Sequence, residues 1–518
     1  MKHTDVLARL DGAVLRAWVT RAVERLHVRR AELDELNVFP VADSDTGTNL
    51  YLTLRGGLES VGDEPADASP RAVGRALTRG TLVGARGNSG VIVSQYLGAL
   101  LGALPDNGTV DGAALVRGLR RAADAAYGAV AQPIEGTVLT VARAVENGAT
   151  RIQERRRGAI DVLEGGIDAG YAALGRTTQQ LAALREAGVF DAGAWGLLLV
   201  LDALADAVAG PARSAKRVDR KPSTPKRSRS EACDTDDHDA GEFEVMYLVE
   251  GGEGDVAAAL RGELSAIGES VAVVGGAGLW QAHVHTDRPL EAVAAAASAG
   301  YAATQIRVRH IASQSGVHGI RRPPLGLVTV TAAPGLVADL ARAGAVVVLV
   351  PGQVAGPELE RAVDDTGATT VLVLVADDLV ANDTHALPDR FGGGPPAVRV
   401  VEGLSEVQVV AGAATLASLD PHLGEARLAD EVVDAVGRVR TATAVLNGVG
   451  LARHAEVVET ARSLLAPGSS LLTVLVSAQT PASLVDHLRA AVAGGPGDVE
   501  VVVLDSGVPG DRIVLGVE

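Results

Sequence analysis

Apolar residues in the first two hundred positions recur at helical spacing. Val14, Trp18, Ala22 and Leu26 line one face ahead of residue 36, and Ile160, Leu163, Ile167, Tyr171 and Leu174 form a second stripe far downstream. No strand-rich stretch separates them, so residues 1–210 are expected to form an antiparallel helical bundle with functional loops at its ends. From Phe243 the pattern changes to short apolar strands. Phe243–Val249, Val271–Val274 and Ala282–His285 are expected strands, with a helix near Val256–Ile267. From Leu325 onward continuous Val/Leu runs alternate with helical stretches, and Val499–Leu504 and Arg512–Val517 add further strands. Such runs imply a mostly parallel sheet covered on both faces. The expected fold is multidomain: an all-α helical barrel or bundle, then α/β domains. The expected boundaries are 1–210 for the helical domain, 211–241 for a linker, 242–322 for a small α/β domain and 323–518 for the C-terminal α/β domain.

The linker stands out by composition. Arg213, Lys216, Arg217, Arg220, Lys221, Lys226, Arg227 and Arg229 crowd with prolines and serines, and an acidic run from Asp234 to Asp239 follows. The only cysteine, Cys233, lies there and excludes an intrachain disulfide or a multi-cysteine metal site. A net charge of -17 with 3% aromatic residues argues against nucleic acid as a partner. The acid-interrupted N-terminus does not resemble a signal peptide, and no apolar run approaches the ~18 residues that would span a bilayer. A cytoplasmic protein without a transmembrane segment is therefore expected.

Lysine usage narrows the chemistry. Lys2, Lys216, Lys221 and Lys226 are the only lysines, at the extreme N-terminus or in the linker. A phosphate-binding lysine or a Schiff base is thus missing from the folded body, and any phosphate must be met by metal ions, backbone N–H groups or arginine.

Four loops carry candidate chemistry. In Leu36–Leu50, Pro40 and Gly47 interrupt regular structure, and Asp43 and Asp45 lie two positions apart with Asn37, Thr46, Thr48 and Asn49 close by. Oxygen donors of this kind suit Mg²⁺ or Ca²⁺, the alternative being an Asp-rich turn. Gly84, Gly87 and Gly90, with Asn88 and Ser89, lead into an apolar helix whose free N–H groups could face an anion, the alternative being close helix packing. Glu135 and Thr137 are read first as helix caps, with a ligand contact by Thr137 as the alternative. Asp191-Ala-Gly-Ala-Trp-Gly196 precedes another apolar helix and, taken alone, is a tight turn.

Together, Leu36-Asn-Val-Phe-Pro-Val41 with Asp43-Ser-Asp-Thr-Gly-Thr-Asn49, Gly84-Ala-Arg-Gly-Asn-Ser-Gly-Val91 with Ser94-Gln95, Glu135-Gly-Thr-Val-Leu-Thr140 and Asp191-Ala-Gly-x-x-Gly196 resemble, in order, the nucleotide-binding L domain of dihydroxyacetone kinases. The resemblance is closer to the bacterial fatty acid kinase catalytic subunit. It implies a helical barrel that binds ATP with two Mg²⁺ ions. Asp43 and Asp45 would be metal ligands, with Asn37 or Asn49 lesser candidates. Thr46, Gly47, Thr48, Asn49, Gly87, Asn88, Ser89, Gly90 and Thr137 would face the nucleotide, as would Asp191 and Gly193 near the nucleoside. Arg86 is the candidate cation for the transferring phosphoryl group, a structural salt bridge being the alternative. Ser44 stands where the family has glycine, which fits only if the backbone there does not need positive φ.

His283 and His285 alternate on an expected strand and face one side. The family joins such a pair to a cysteine, but Met246 stands about where that cysteine would fall, so a packed histidine pair is favoured over a metal site. In the C-terminal region Gly352-Gln353 survives of a longer polar motif, while Val354-Ala-Gly-Pro357 and Ala376-Asp-Asp378 depart from the family. The implied function is an ATP- and Mg²⁺-dependent kinase subunit that phosphorylates the carboxylate of a fatty acid presented by a separate fatty-acid-binding protein. A partner is expected because no long apolar slot is evident in the helical domain. A homodimer is compatible with the sequence. The alternatives are a dihydroxyacetone (glycerone) kinase-like phosphotransferase and a nucleotide-binding regulatory protein without transfer activity.

Overall fold

The computed structural model describes residues 7–155, 158–210, 241–252, 255–313, 325–377, 379, 387–391, 396–446, 451–492 and 499–518. The charged linker 211–240, with Cys233, and Asp378 lie outside these residues.

The helical region begins with α1 (Gly12–Glu35), capped by Asp11, which accepts from the Val14 N–H at 3.0 Å. It continues through α2 (Thr46–Gly62), α3 (Pro70–Val83), α4 (Gly87–Gly102), α5 (Gly112–Ala129), α6 (Val138–Gln153), α7 (Ala159–Gln180), α8 (Ala182–Ala187) and α9 (Ala192–Ala209). Two short strands, β1 (Ala8–Arg9) and β2 (Thr109–Val110), form an antiparallel pair beside the helices. The expected stripe on α1 faces inward: Trp18, Ala22 and Leu26 are buried, and Val14 packs at the edge. Neighbours in sequence pack on one another from α1 to α7, and α9 packs on both α7 and α1. Burying apolar surface drives this assembly, at roughly 25 cal/mol per Å².

α9 is the hub. Every residue from Ala192 to Asp206 is buried, and the Trp18 indole donates to the Val200 carbonyl at 2.9 Å. By length and composition this helix could cross a membrane, contrary to the expectation that no such run exists. It is a core helix instead, with 83% of it buried. Asp202 accepts from the Tyr171 hydroxyl at 2.7 Å, and Asp206 pairs with Arg25.

By Cα packing the described chain divides into two units. The first holds residues 1–241, 248–286 and 295–302; the second holds 242–247, 287–294 and 303–518. The division falls within strand β3 (Phe243–Glu250) and within α11 (Pro289–Ser298), which follows α10 (Val256–Ser265).

In the first unit β4 (Glu269–Gly276) and β5 (Leu279–Thr286) form an antiparallel hairpin. The hairpin lies against α4: the Gly275 N–H donates to Gln95 Oε1 at 3.1 Å, and Ala131 N–H donates to Val271 O at 3.1 Å. This unit also encloses a cavity of about 670 Å³ between α3, α4 and the hairpin tip. The sequence offers no long apolar slot in the helical domain; this cavity is partly apolar and takes part of its lining from the hairpin. Local periodicity reports which faces are buried, but not how completely two buried faces fill the space between them.

The second unit carries β6 (Ala303–His310), β7 (Leu325–Thr331), β8 (Ala345–Leu349), β9 (Thr370–Ala376) and β10 (Ala397–Leu404) in the spatial order β10, β9, β7, β8, β6. Pairings among β7 to β10 are parallel, and β6 joins β8 antiparallel. Thus the Val/Leu runs do mark a mostly parallel sheet. The tail is separate: β11 (Arg440–Val445), β12 (Leu471–Val476), β13 (Glu500–Asp505) and β14 (Arg512–Val517) make a four-stranded mixed sheet.

Candidate active site

The loop from Leu36 to Asp45 connects α1 to α2, and its geometry is held from below by Asp34. That buried carboxylate accepts from the Thr48 N–H and the Thr48 hydroxyl, both at 2.8 Å, tying the end of α1 to the first turn of α2. Asn37 is buried, and its amide N–H donates to Asp43 Oδ1. Asp45 occupies the N-cap position of α2 without capping it through its side chain. The intervening Ser44 has φ +54°. The condition set on a serine at this position therefore fails: the backbone is left-handed there, where a non-glycine residue is disfavoured.

Three further helix entrances meet this one. Asn49, in the first turn of α2, lies against Gly87, the first residue of α4; Gly87 has φ +54°, and a Cβ there would sit 2.5 Å from Asn49 Nδ2. Thr53 Oγ1 accepts from the Arg86 N–H at 3.2 Å, and it lies 2.3 Å from where a Cβ on Gly90 would be. Ser89 faces Gly193 at the start of α9. Asp191 caps α9 through Ala194 N–H at 2.7 Å and also accepts from the Val138 N–H at the start of α6. The N-termini of α2, α4, α6 and α9 are thus linked residue to residue, and their dipoles favour an anion.

Burial pushes the Asp191 carboxyl up from 3.8 to about 6, against the two peptide N–H groups that favour its charged form. Asn88 Oδ1 is buried with no hydrogen-bond partner. A buried amide oxygen in that condition is suited to a donor or a cation. Oxygen donors at Asp43 and Asp45 and this orphan oxygen fit a hard cation, and at position 87 only glycine clears Asn49, which leaves the start of α4 bare of a side chain.

The remaining residues fall as follows. Thr46 and Gly47 open α2, and Thr46 is buried. Thr48 is engaged by Asp34. Thr137 is the N-cap of α6, and its hydroxyl donates to Ile134 O at 2.7 Å. Glu135 is not a cap; it accepts from the Tyr127 hydroxyl at 2.8 Å and from Thr140. Arg86 is only 2% exposed, and its guanidinium donates to the Gly84 carbonyl of the same loop. His283 and His285 are buried with ring centroids 5.0 Å apart. Met246 is buried as well.

Two contributors had no local signal. Asp34 looks like one more acid on a polar helix end, and only the packing of α1 on α2 turns it inward. Gln281, on β5, donates to the Ala85 carbonyl at 3.0 Å across 196 positions of sequence.

Residues 40–206 match the DAK2 domain model, and residues 240–317 match the model of the FakA-like middle domain of fatty acid kinase. Fold and site thus define a kinase built on a DAK2 domain. Protein YloV of Bacillus subtilis (strain 168) is 30% identical over 421 residues, 76% of this chain and 76% of that protein. With these matches, the chain belongs to the fatty acid kinase catalytic subunit family. An uncharacterised protein of Staphylococcus haemolyticus is 31% identical over 294 residues, 55% of this chain and 52% of that protein, so the match spans about half of that relative. Among solved structures, a DegV family protein from Corynebacterium glutamicum aligns with TM-score 0.31 and 15% identity, over 38% of this chain and 96% of that one. Dihydroxyacetone kinase from C. freundii, in complex with AMP-PNP and Mg²⁺, aligns with TM-score 0.29 and 21% identity, over 37% of this chain and 33% of that one.

Proposed function

We propose that this kinase uses ATP and Mg²⁺ to phosphorylate the carboxylate of a fatty acid presented by a separate lipid-binding protein. The observation that carries the reading is the meeting of four helix N-termini beside Asp43 and Asp45, in a body without lysine. Asp43 and Asp45 would hold Mg²⁺, with Asn37 positioning Asp43. Held there, Mg²⁺ would supply positive charge to offset the negative charge of the ATP phosphates. Peptide N–H groups of Thr46, Gly47, Gly87, Asn88 and Ser89 orient phosphate oxygens, Gly90 lets α4 pack closely on Thr53 while its own N–H is bonded to the Arg86 carbonyl, and Asn49 and Thr137 fix the loops that present these groups. Asp191 and Gly193 lie on the nucleoside side. Arg86 keeps the assignment as cation for the transferring group while bracing its own loop. A fatty carboxylate is already ionised, so no general base is required of the chain.

The middle-domain match over 240–317 supports a fatty acid over dihydroxyacetone as acceptor. The ring of packed neighbours closed by α9 supports the barrel form, and the two family matches support boundaries near 210, 241 and 322. A cytoplasmic site of action, a lipid-binding partner and a homodimer belong to the same proposal.

The test is isothermal titration with ATP and Mg²⁺, followed by ATP turnover with an oleate-loaded lipid-binding protein. We expect Asp43→Asn and Asp45→Asn each to weaken Mg²⁺-dependent ATP binding at least tenfold, about 1.4 kcal/mol. Equal binding by both variants and the parent would sink the assignment.

A further inference from the structure

The cavity of about 670 Å³ in the first unit lies apart from the loops assigned to ATP. It is bounded by the N-terminal end of α1, by α3, by the C-terminal end of α4 and by the β4–β5 hairpin tip. Its size falls within the range of small-molecule sites. The walls are apolar, with Leu10, Leu15, Leu82, Leu101, Leu104 and Leu279 contributing. Gly74 and Gly102 keep the space open: a Cβ on Gly74 would meet nothing nearer than 4.0 Å, and one on Gly102 nothing within 4 Å.

The rim has the opposite character. Arg71, Arg75 and Arg79 recur every fourth residue, so one face of α3 carries three like charges at the cavity. Arg71 is paired with Asp106 at 2.6 Å. Arg75 and Arg79 are exposed, and among the described residues neither makes an ion pair. In a chain of net charge -17, two unpaired guanidinium groups over an apolar cavity complement a ligand with an anionic head and an aliphatic tail.

We infer that this cavity is a binding site for an acyl or alkyl chain bearing a carboxylate or phosphate head, with the tail among the leucines and the head at Arg75 and Arg79. The site reaches the candidate active site through one element. The hairpin whose tip residues Gly276, Ala277 and Leu279 line the cavity also places Gln281 on the Ala85 carbonyl, two residues before Gly87. Occupancy beneath the tip therefore bears on the loop that opens α4. Binding in the cavity does not depend on the kinase reading.

The test is isothermal titration of the full chain with decanoate, decyl phosphate, decanol and inorganic phosphate, all below their aggregation thresholds. Saturable one-to-one binding of decanoate or decyl phosphate is expected. Affinity should rise about threefold to fourfold for each methylene between the C8 and C10 homologues, the signature of tail burial. Binding of both heads, or of one alone, supports the site and identifies the head it takes. Arg75→Ala/Arg79→Ala should weaken binding about tenfold, and Gly74→Leu should abolish it by filling the space. Asp43→Asn should bind the decyl ligands as the parent does, which separates this site from the ATP site. Far-ultraviolet circular dichroism and urea unfolding of the Arg75/Arg79 and Gly74 variants confirm that they are folded. No saturable binding of either anion, equal affinity for decanol, or unchanged binding in Arg75→Ala/Arg79→Ala would overturn the inference.

Discussion

Ser44 sits between the two aspartates assigned to the metal, with φ +54°. A left-handed backbone costs a non-glycine residue about 1–2 kcal/mol, while glycine costs roughly 0.5–1 kcal/mol in unfolded-chain entropy. The two effects nearly offset, so we expect Ser44→Gly to raise stability by no more than about 1 kcal/mol. Ser44→Val, with a β-branched side chain in the same conformation, should lower it by about 1–2 kcal/mol. Urea unfolding of both variants checks this, and a Ser44→Gly protein clearly less stable than its parent would contradict the left-handed assignment. The two aspartates can be proposed as ligands from residue type and spacing. The conformation of the serine between them cannot be read that way, because a φ angle at one position is set by the closure of the whole loop on Asp34 and Asn37.

At the scale of elements, one side chain joins two helix ends. Asp191 caps α9 and accepts from the first N–H of α6, and burial raises its pKa to about 6. Between about pH 4 and 6 the folded chain retains a proton here that the unfolded chain has released. Stability contributed by this group is therefore complete below pH 4, falls as pH rises through 6 and stays lower above it. The shift corresponds to a loss on the order of 3 kcal/mol. Asp191→Asn keeps an acceptor oxygen at the cap and removes the titration. The difference in stability between variant and parent should accordingly shift in the variant's favour from pH 4 to 6.5 and then level off in urea unfolding series; a constant difference would refute it. Helix starts at 87 and 192 could be anticipated from glycine-rich or acidic entrances, but the start at 46 could not: the sequence suggests a loop interrupted at Gly47 and running to Leu50, whereas Thr46–Leu50 opens α2, with Gly47 packed against the Arg30 carbonyl. That the first turns of these helices touch could not be anticipated either, since packing angles depend on side chains from several helices at once.

The second unit buries charged side chains beside its apolar cores. Arg307 and Arg309 lie two apart on β6 and so share a face. Arg307 pairs with Asp365 at 2.8 Å, with both side chains at most 6% exposed, and Arg309 pairs with Glu244. Removing one member of such a pair leaves the other charged and buried. Asp365→Ala should therefore destabilise this unit by about 3–5 kcal/mol. Calorimetry or amide exchange of β6 to β8 measures it, and a change under about 1 kcal/mol would show the pair to be effectively solvated.

By itself the sequence determined the helical first region, the strand runs of the second and the four glycine- or acid-bearing segments from which the proposed site is drawn. Each of these is written in residue type and short-range period, because a backbone repeat exposes the same face every few residues. Only the tertiary structure decided that Asp34 braces Thr48, that Gln281 reaches Ala85, that α9 is a core helix, and that an arginine-rimmed cavity opens between α3 and α4. Contacts of this kind join residues far apart in the chain. Their selection depends on how all the apolar faces pack together, a balance that no local stretch contains.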